Sequence, residues 1–184
     1  LDKTGVTEDF TAALDTAIAR LEKETGRGLG DAENPLLLAV RSGASVSMPG
    51  MMETILNVGI TPLTLPALSD MTGNHPFALD SYQRFLEGFC KSILRIDLSV
   101  LDAQIQENKD LADHTELLET LISGKIGAER LCDTRYLLDQ CIHAVIRSSH
   151  SSTAQAYRKK TGLPDSLGTA VTVQAMVFGN KGAN

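Results

Sequence analysis

The chain contains no tryptophan, and its 184 residues carry only three tyrosines and five phenylalanines. With so few rings, an aromatic platform for stacking nucleic-acid bases is not expected. Positive charge is also scarce. Lys and Arg total 17 against 23 Asp and Glu, for a net charge of -6 and a pI near 5.2. No basic stripe is available to release counterions, so nucleic acid is not an expected partner. No apolar run approaches the roughly 20 residues that span a bilayer, so a membrane is not expected either. The opening residues do not read as a secretory signal, and a cytoplasmic location is expected. Cys90, Cys132 and Cys141 are odd in number and fit no CxxC spacing. They read as small buried thiols in a reduced compartment. His75, His114, His143 and His150 share no metal-ligand spacing with one another or with the carboxylates. A GxxxxGK[ST] phosphate loop is missing, and Gly43-Ala44-Ser45-Val46-Ser47 lacks the second glycine of a nucleophile elbow.

What is present suffices for one sizeable core, with a smaller helical lobe attached. Thr7 to Thr25 reads as a helix that Thr7 caps, with Phe10, Leu14, Ile18 and Leu21 on one face and Gly26 at its end. Leu36–Val40 is an apolar strand, and Thr54–Val58 alternates as a second one. Leu63–Met71 reads as a short helix. Helical spacing then recurs over Ala78–Ile96, Leu98–Glu107, Ala112–Ser123 and Glu129–Ser148. Thr153–Lys160 is a further helix, capped by Ser151 or Ser152 and stopped at Gly162. Thr169–Phe178 alternates small and branched residues and reads as a return strand. Asp133, Asp139, Glu116 and Glu119 read as solvated helix faces.

The densest chemistry lies between Asn34 and Thr61. The apolar run breaks at Arg41 and enters a loop of small residues: Ser42, Gly43, Ser45, Ser47, Pro49 and Gly50, with Met48, Met51 and Met52 among them. A strand that delivers one forked, permanent cation into such a loop suits phosphate, because backbone N–H and hydroxyl groups can approach the oxygens. The same residues also fit an ordinary turn, with Arg41 ion-paired to a surface carboxylate and Gly43 and Gly50 present for positive φ.

Three blocks together carry a resemblance. Arg41-Ser42-Gly43-Ala44, Ser47-Met48-Pro49-Gly50-Met51-Met52 and Thr54-Ile55-Leu56-Asn57 form the first. Phe77-Ala78 with Asp80-Ser81-Tyr82 and Arg84-Phe85 form the second. Ala156-Tyr157-Arg158, Gly168-Thr169-Ala170-Val171 and Val173-Gln174-Ala175-Met176-Val177-Phe178-Gly179-Asn180 form the third. In this order they resemble the nucleotide-binding domain of the pyruvate, phosphate dikinase family, which is shared with phosphoenolpyruvate synthases. The resemblance implies an α/β (α+β) ATP-grasp-like fold made of residues 1–82 and 148–184, with a helical insertion at 83–147. It implies that ATP and Mg²⁺ bind, with Arg41 on the phosphates. Ser42, Gly43, Ser47 and Gly50 would line the same region, and Gln174 and Met176 would lie near the adenine.

In that family the terminal phosphates pass to a histidine on a mobile domain and then to pyruvate. The phosphohistidine and pyruvate-binding domains are therefore the implied partners, with a homodimer formed through them. The glycine-rich segment with a phosphate-contacting Lys, and the acidic and Gln residues expected on metal and ATP, have no match in these 184 residues. The chain is thus expected to hold half an ATP site and not to catalyse alone. Two departures stand out. Glu53 takes a position usually Asp, and Ser148–Thr153 lacks the Trp and Pro-Arg usual before the Ala-Tyr-Arg block. A silent helical scaffold and a phosphoenolpyruvate synthase-like ATP domain are the competing readings.

Overall fold

The computed structural model describes residues 8–43, 46, 48, 50–99, 111–164 and 169–177. Helix α1 (Glu8–Thr25) leads through Gly26, in the left-handed region at φ 67°, to the strands. Strands β1 (Leu38–Ser42) and β2 (Thr54–Val58) are followed by α2 (Leu65–Thr72) and α3 (His75–Phe89). Helix α3 runs on as a π-helical turn, Cys90–Leu94, that ends at Arg95. Helices α4 (Leu111–Ile126), α5 (Ala128–Cys132), α6 (Thr134–Ser148) and α7 (Ser152–Thr161) precede the last strand, β3 (Val171–Ala175).

The molecule is thus α+β, with a three-stranded antiparallel sheet in the order β2-β1-β3. Paired residues share a face of the sheet. Leu38, Val40, Ile55 and Val58 are buried on the face that packs against α3 and α6. They join Tyr82, Phe85, Phe89, Leu118, Ile122, Leu137 and Leu138 in one hydrophobic cluster. The opposite face carries Arg41, Thr54, Leu56 and Gln174, all exposed, with Leu56 at 49%.

Several expected boundaries move. The first strand begins and ends two residues later than the apolar run. Leu36 and Leu37 are buried in the irregular approach, where Gly28 bridges Pro35. Arg41, expected just beyond the strand, sits inside it, because Thr54 and Thr172 pair with it from either side. The single helix expected over Glu129–Ser148 is two. Asp133 takes an extended conformation, and its carboxylate accepts the Tyr136 N–H at 2.9 Å, capping α6. Ser151 caps α7 by accepting the Ala154 N–H at 3.1 Å, one of the two expected caps. The Leu98–Glu107 helix lies almost wholly outside the described residues, as do Thr7 and Ser47. Cys90 and Cys141 are buried as expected, whereas Cys132 is half-buried, and all three are free thiols.

Strand β2 holds an irregularity that matters below. From Leu38 to Val40 is two steps on β1, but their partners Val58 and Ile55 are three steps apart on β2. The extra residue is accommodated at Asn57, whose φ of 60° lies in the left-handed region that Asn tolerates better than most residues. Its side chain is buried and donates from Nδ2 to the Ser81 carbonyl at 2.9 Å, tying the sheet to α3.

Candidate functional site

On the open sheet face, the Arg41 Nε–H donates to Gln174 Oε1 at 3.2 Å. The two residues come from neighbouring strands, and their side chains share that face because Ala39 pairs with Gln174 and Arg41 with Thr172. Holding Nε in this way fixes the plane of the guanidinium. Among the described residues its Nη atoms make no hydrogen bond and Arg41 makes no ion pair. The carboxylate partner that an ordinary strand-end arginine would have is therefore not found there. What remains is an oriented fork directed from an exposed face, the geometry that meets two oxygens of a phosphate at once.

The neighbouring residues sort themselves by the strand's alternation. Thr172 crowds Gly43 so closely that a Cβ there would lie 2.7 Å from Thr172 Oγ1. Gly43 is thus needed for close approach between β1 and β3, and its N–H already donates to the Ala170 carbonyl at 2.7 Å. It is not free to hold an anion. The Ser42 hydroxyl turns to the other face and lies 2.8 Å from the Thr169 hydroxyl. Ser42 therefore offers Arg41's face backbone only. Gly50 does adopt a positive φ, 70°, and lines a cavity whose wall does not include Arg41. Met176 donates its N–H to the Leu37 carbonyl at 2.8 Å, and its sulfur accepts the Asn57 N–H at 3.1 Å. That pins it across the strand end, partly buried against the core.

The site therefore brings Arg41 and Gln174 together, with Thr172 and Thr54 beside them. It keeps the Ser42 hydroxyl away from that cluster. Sequence reasoning missed Thr54 and Thr172. The available signal was threonine alternating with apolar residues on strands flanking the Arg, which marks exposed strand positions.

The family profile described as "Pyruvate phosphate dikinase, AMP/ATP-binding domain" matches residues 3–183, nearly the whole chain. The chain belongs to this family. Among named relatives, it is 41% identical over 188 residues to pyruvate, phosphate dikinase of Rickettsia felis, covering 95% of this chain and 21% of that protein. The enzyme of the same name from Clostridium symbiosum is 35% identical over 192 residues, covering 96% and 22%. That of Rhizobium meliloti is 40% identical over 179 residues, covering 90% and 20%. The chain spans about a fifth of the length of these relatives. Among the described residues there is no group of three or more His, Cys, Asp or Glu that would hold a metal ion. No described helix is long and apolar enough to cross a membrane.

Proposed function

We propose that the exposed sheet face bearing Arg41 and Gln174 is one wall of an ATP site of the ATP-grasp type. The observation that carries this reading is the orientation of Arg41, held through Nε by Gln174 with no carboxylate opposing it among the described residues. Charge neutralisation and positioning supply most of the catalysis in phosphoryl transfer. A pre-set guanidinium contributes to both. Gln174 then acts first as the residue that orients Arg41, and Met176 as a strand-end anchor beside the site. Ser42 and Gly43 shape the wall through the backbone and the close approach of β3, while Gly50 lies between β1 and β2 in the chain, and Ser47 falls outside the described residues.

The whole protein we propose is a cytoplasmic pyruvate, phosphate dikinase. It would convert ATP, phosphate and pyruvate into AMP, diphosphate and phosphoenolpyruvate through a phosphohistidine on another domain, with Mg²⁺ held by residues beyond those described and dimer contacts on other domains. The helical stretch 83–147 is then an insertion between 1–82 and 148–184. In support of that division, every described element from Leu111 to Ser148 is helical, and the strands come from the flanking segments.

The test is calorimetric titration of Mg·ATP into this chain and into a longer one extended to the span of its relatives, each with and without Arg41→Ala. The substitution removes an exposed side chain with one hydrogen bond, so stability should change by no more than about 0.5 kcal/mol. Affinity in the longer chain should fall about tenfold or more, near 1.4 kcal/mol. Equal affinity for the Arg41→Ala chain would remove Arg41 from the phosphates. No binding by a folded longer chain would leave a silent scaffold.

A further inference from the structure

Asn57 and Met176 come from parts of the sheet that are not neighbours, since β1 runs between β2 and β3. Yet the Asn57 N–H, at the bulge of β2, donates to Met176 Sδ at 3.1 Å. The Met176 side chain therefore passes the start of β1, where its own N–H donates to the Leu37 carbonyl at 2.8 Å. A thioether is a weak acceptor, and methionine more often serves to fill irregular gaps. Here its sulfur meets the main-chain N–H of a buried residue, a group that is costly to leave without a partner.

Asn57 is the fixed end of this contact. Its Nδ2 donates to the Ser81 carbonyl at 2.9 Å, and its own carbonyl accepts the Ile60 N–H at 3.2 Å. Strand β3 is the yielding end. Among the described residues no strand pairs with its outer edge, and Val177 just beyond it is 89% exposed. The bonds from Gly43 to Ala170 and from Met176 to Leu37 mark the two ends of the β1–β3 ladder. With the antiparallel alternation, they place the Ala39–Gln174 pair one hydrogen-bonded rung inside the Met176 end.

Gln174 is thus two residues from the sulfur contact, on an edge strand. Its bond to the Arg41 Nε–H is 3.2 Å long, at the upper limit of the ordinary range. A shift of about 0.4 Å in β3 would open it beyond hydrogen-bonding distance. Both side chains are exposed, so packing does not hold them together. What keeps Gln174 within reach is the backbone of β3. Met176 fastens that backbone to β2 and, through Asn57, to α3.

We propose that Asn57 and Met176 are positioning residues of the Arg41 site: the Met176 sulfur, gripping the bulge N–H of Asn57, clasps β3 to β2 across the start of β1 and so sets Gln174 where it holds Arg41. A guanidinium fixed before phosphate arrives loses less freedom on binding. The effect on ligand affinity rests on the reading of this face as an ATP wall. The effect on Arg41 itself does not.

The test replaces Met176 by leucine, which keeps the size and apolar character and lacks the acceptor. In the 184-residue chain, hydrogen-exchange rates of the Asn57 amide and of the Arg41 Nε–H are read by heteronuclear NMR. Both should rise about threefold or more in Met176→Leu, whereas Gln174→Ala should raise the Arg41 rate alone. Replacing all five methionines by norleucine, which has the shape without the sulfur, should give the same two changes, and it decides the matter if the leucine variant does not fold. A lower Tm with the Arg41 rate unchanged would make Met176 a structural anchor only and overturn the proposal. In the longer chain spanning its relatives, Met176→Leu should weaken Mg·ATP binding about threefold, and the double variant with Gln174→Ala should bind no more weakly than Gln174→Ala alone. Additive losses would show that Met176 does not act through Gln174, and would also overturn it. If the longer parent chain does not bind Mg·ATP, or Arg41→Ala binds it equally well, the ATP reading fails by itself, and the exchange rates still decide whether Asn57 and Met176 position Arg41.

Discussion

Replacing Asn57 by alanine tests whether the sheet is fastened to α3 in the way described. Asn57 has two roles: it occupies the bulged, left-handed position of β2, and it donates from Nδ2 to Ser81. Alanine in the left-handed region costs about 1 kcal/mol more than asparagine. Loss of the hydrogen bond costs about 1 kcal/mol, and no more, because the Ser81 carbonyl keeps the bond it accepts within α3. The sum is about 2 kcal/mol, or a fall in Tm of about 4–8 °C for a chain of this size. Urea denaturation and thermal melting both read it. Asn57→Gly relieves the backbone and loses only the hydrogen bond, so the difference between the two variants isolates the conformational cost. Asn57→Asp adds a pH signature. A carboxylate cannot donate to the Ser81 carbonyl, so burial opposite that oxygen raises the introduced group's folded pKa above its unfolded value of about 3.9. Stability relative to the parent is then retained below the unfolded pKa and lost as pH rises through the folded pKa. The deficit should therefore be small near pH 4 and larger at pH 7. A cost below about 0.5 kcal/mol for Asn57→Ala, or an acidic-variant deficit that does not shrink toward low pH, would refute the assignment.

Three further outcomes follow from the packing and the caps. Leu138 is fully buried in the hydrophobic cluster, and Leu138→Ala should cost about 3 kcal/mol in urea denaturation through the cavity it leaves. A cost under 1 kcal/mol would mean that the α6 stripe is not core. Asp133→Ala should remove about 1 kcal/mol by uncapping α6, and Asp133→Ser should restore most of it. Equal melting of the two variants would count against the cap. Burial, assisted by Glu87, pushes the Cys90 thiol up to about 11, and burial raises Cys141 further, so at pH 8 a thiol reagent should modify half-buried Cys132 first. At that pH about a thousandth of Cys90 is thiolate, so labelling of Cys90 as fast as Cys132 would contradict its burial.

The helices were legible where an apolar stripe coincided with a local stop signal. Gly26 and Gly162 ended α1 and α7 as their sequence positions suggested, since both are left-handed caps. Asp133 was hidden because the apolar spacing continues across it, and only its side-chain bond to Tyr136 reveals the break. The extent of β1 was hidden for a different reason. Burial and strand pairing are separate properties: Leu36 and Leu37 are buried without strand pairing, while Arg41 is paired on both sides and exposed. Arg41 could be singled out from its loop, and the family from its three blocks. That Gln174, 133 residues away, fixes the plane of its guanidinium could not be read, because no local pattern encodes which strands become neighbours.

The same 133-residue separation has a kinetic consequence. Strands β1 and β2 are joined by a short connection, whereas docking β3 on β1 closes a loop whose entropy costs about 4 kcal/mol. The hairpin and the helices are therefore expected to form first and β3 to dock last. Substitutions in β3 then act mainly by hastening unfolding, leaving the folding rate nearly unchanged. A ligand that grips Arg41 and Gln174 together would bridge the last pairing to form and the first to part, and so would act as a brake on unfolding.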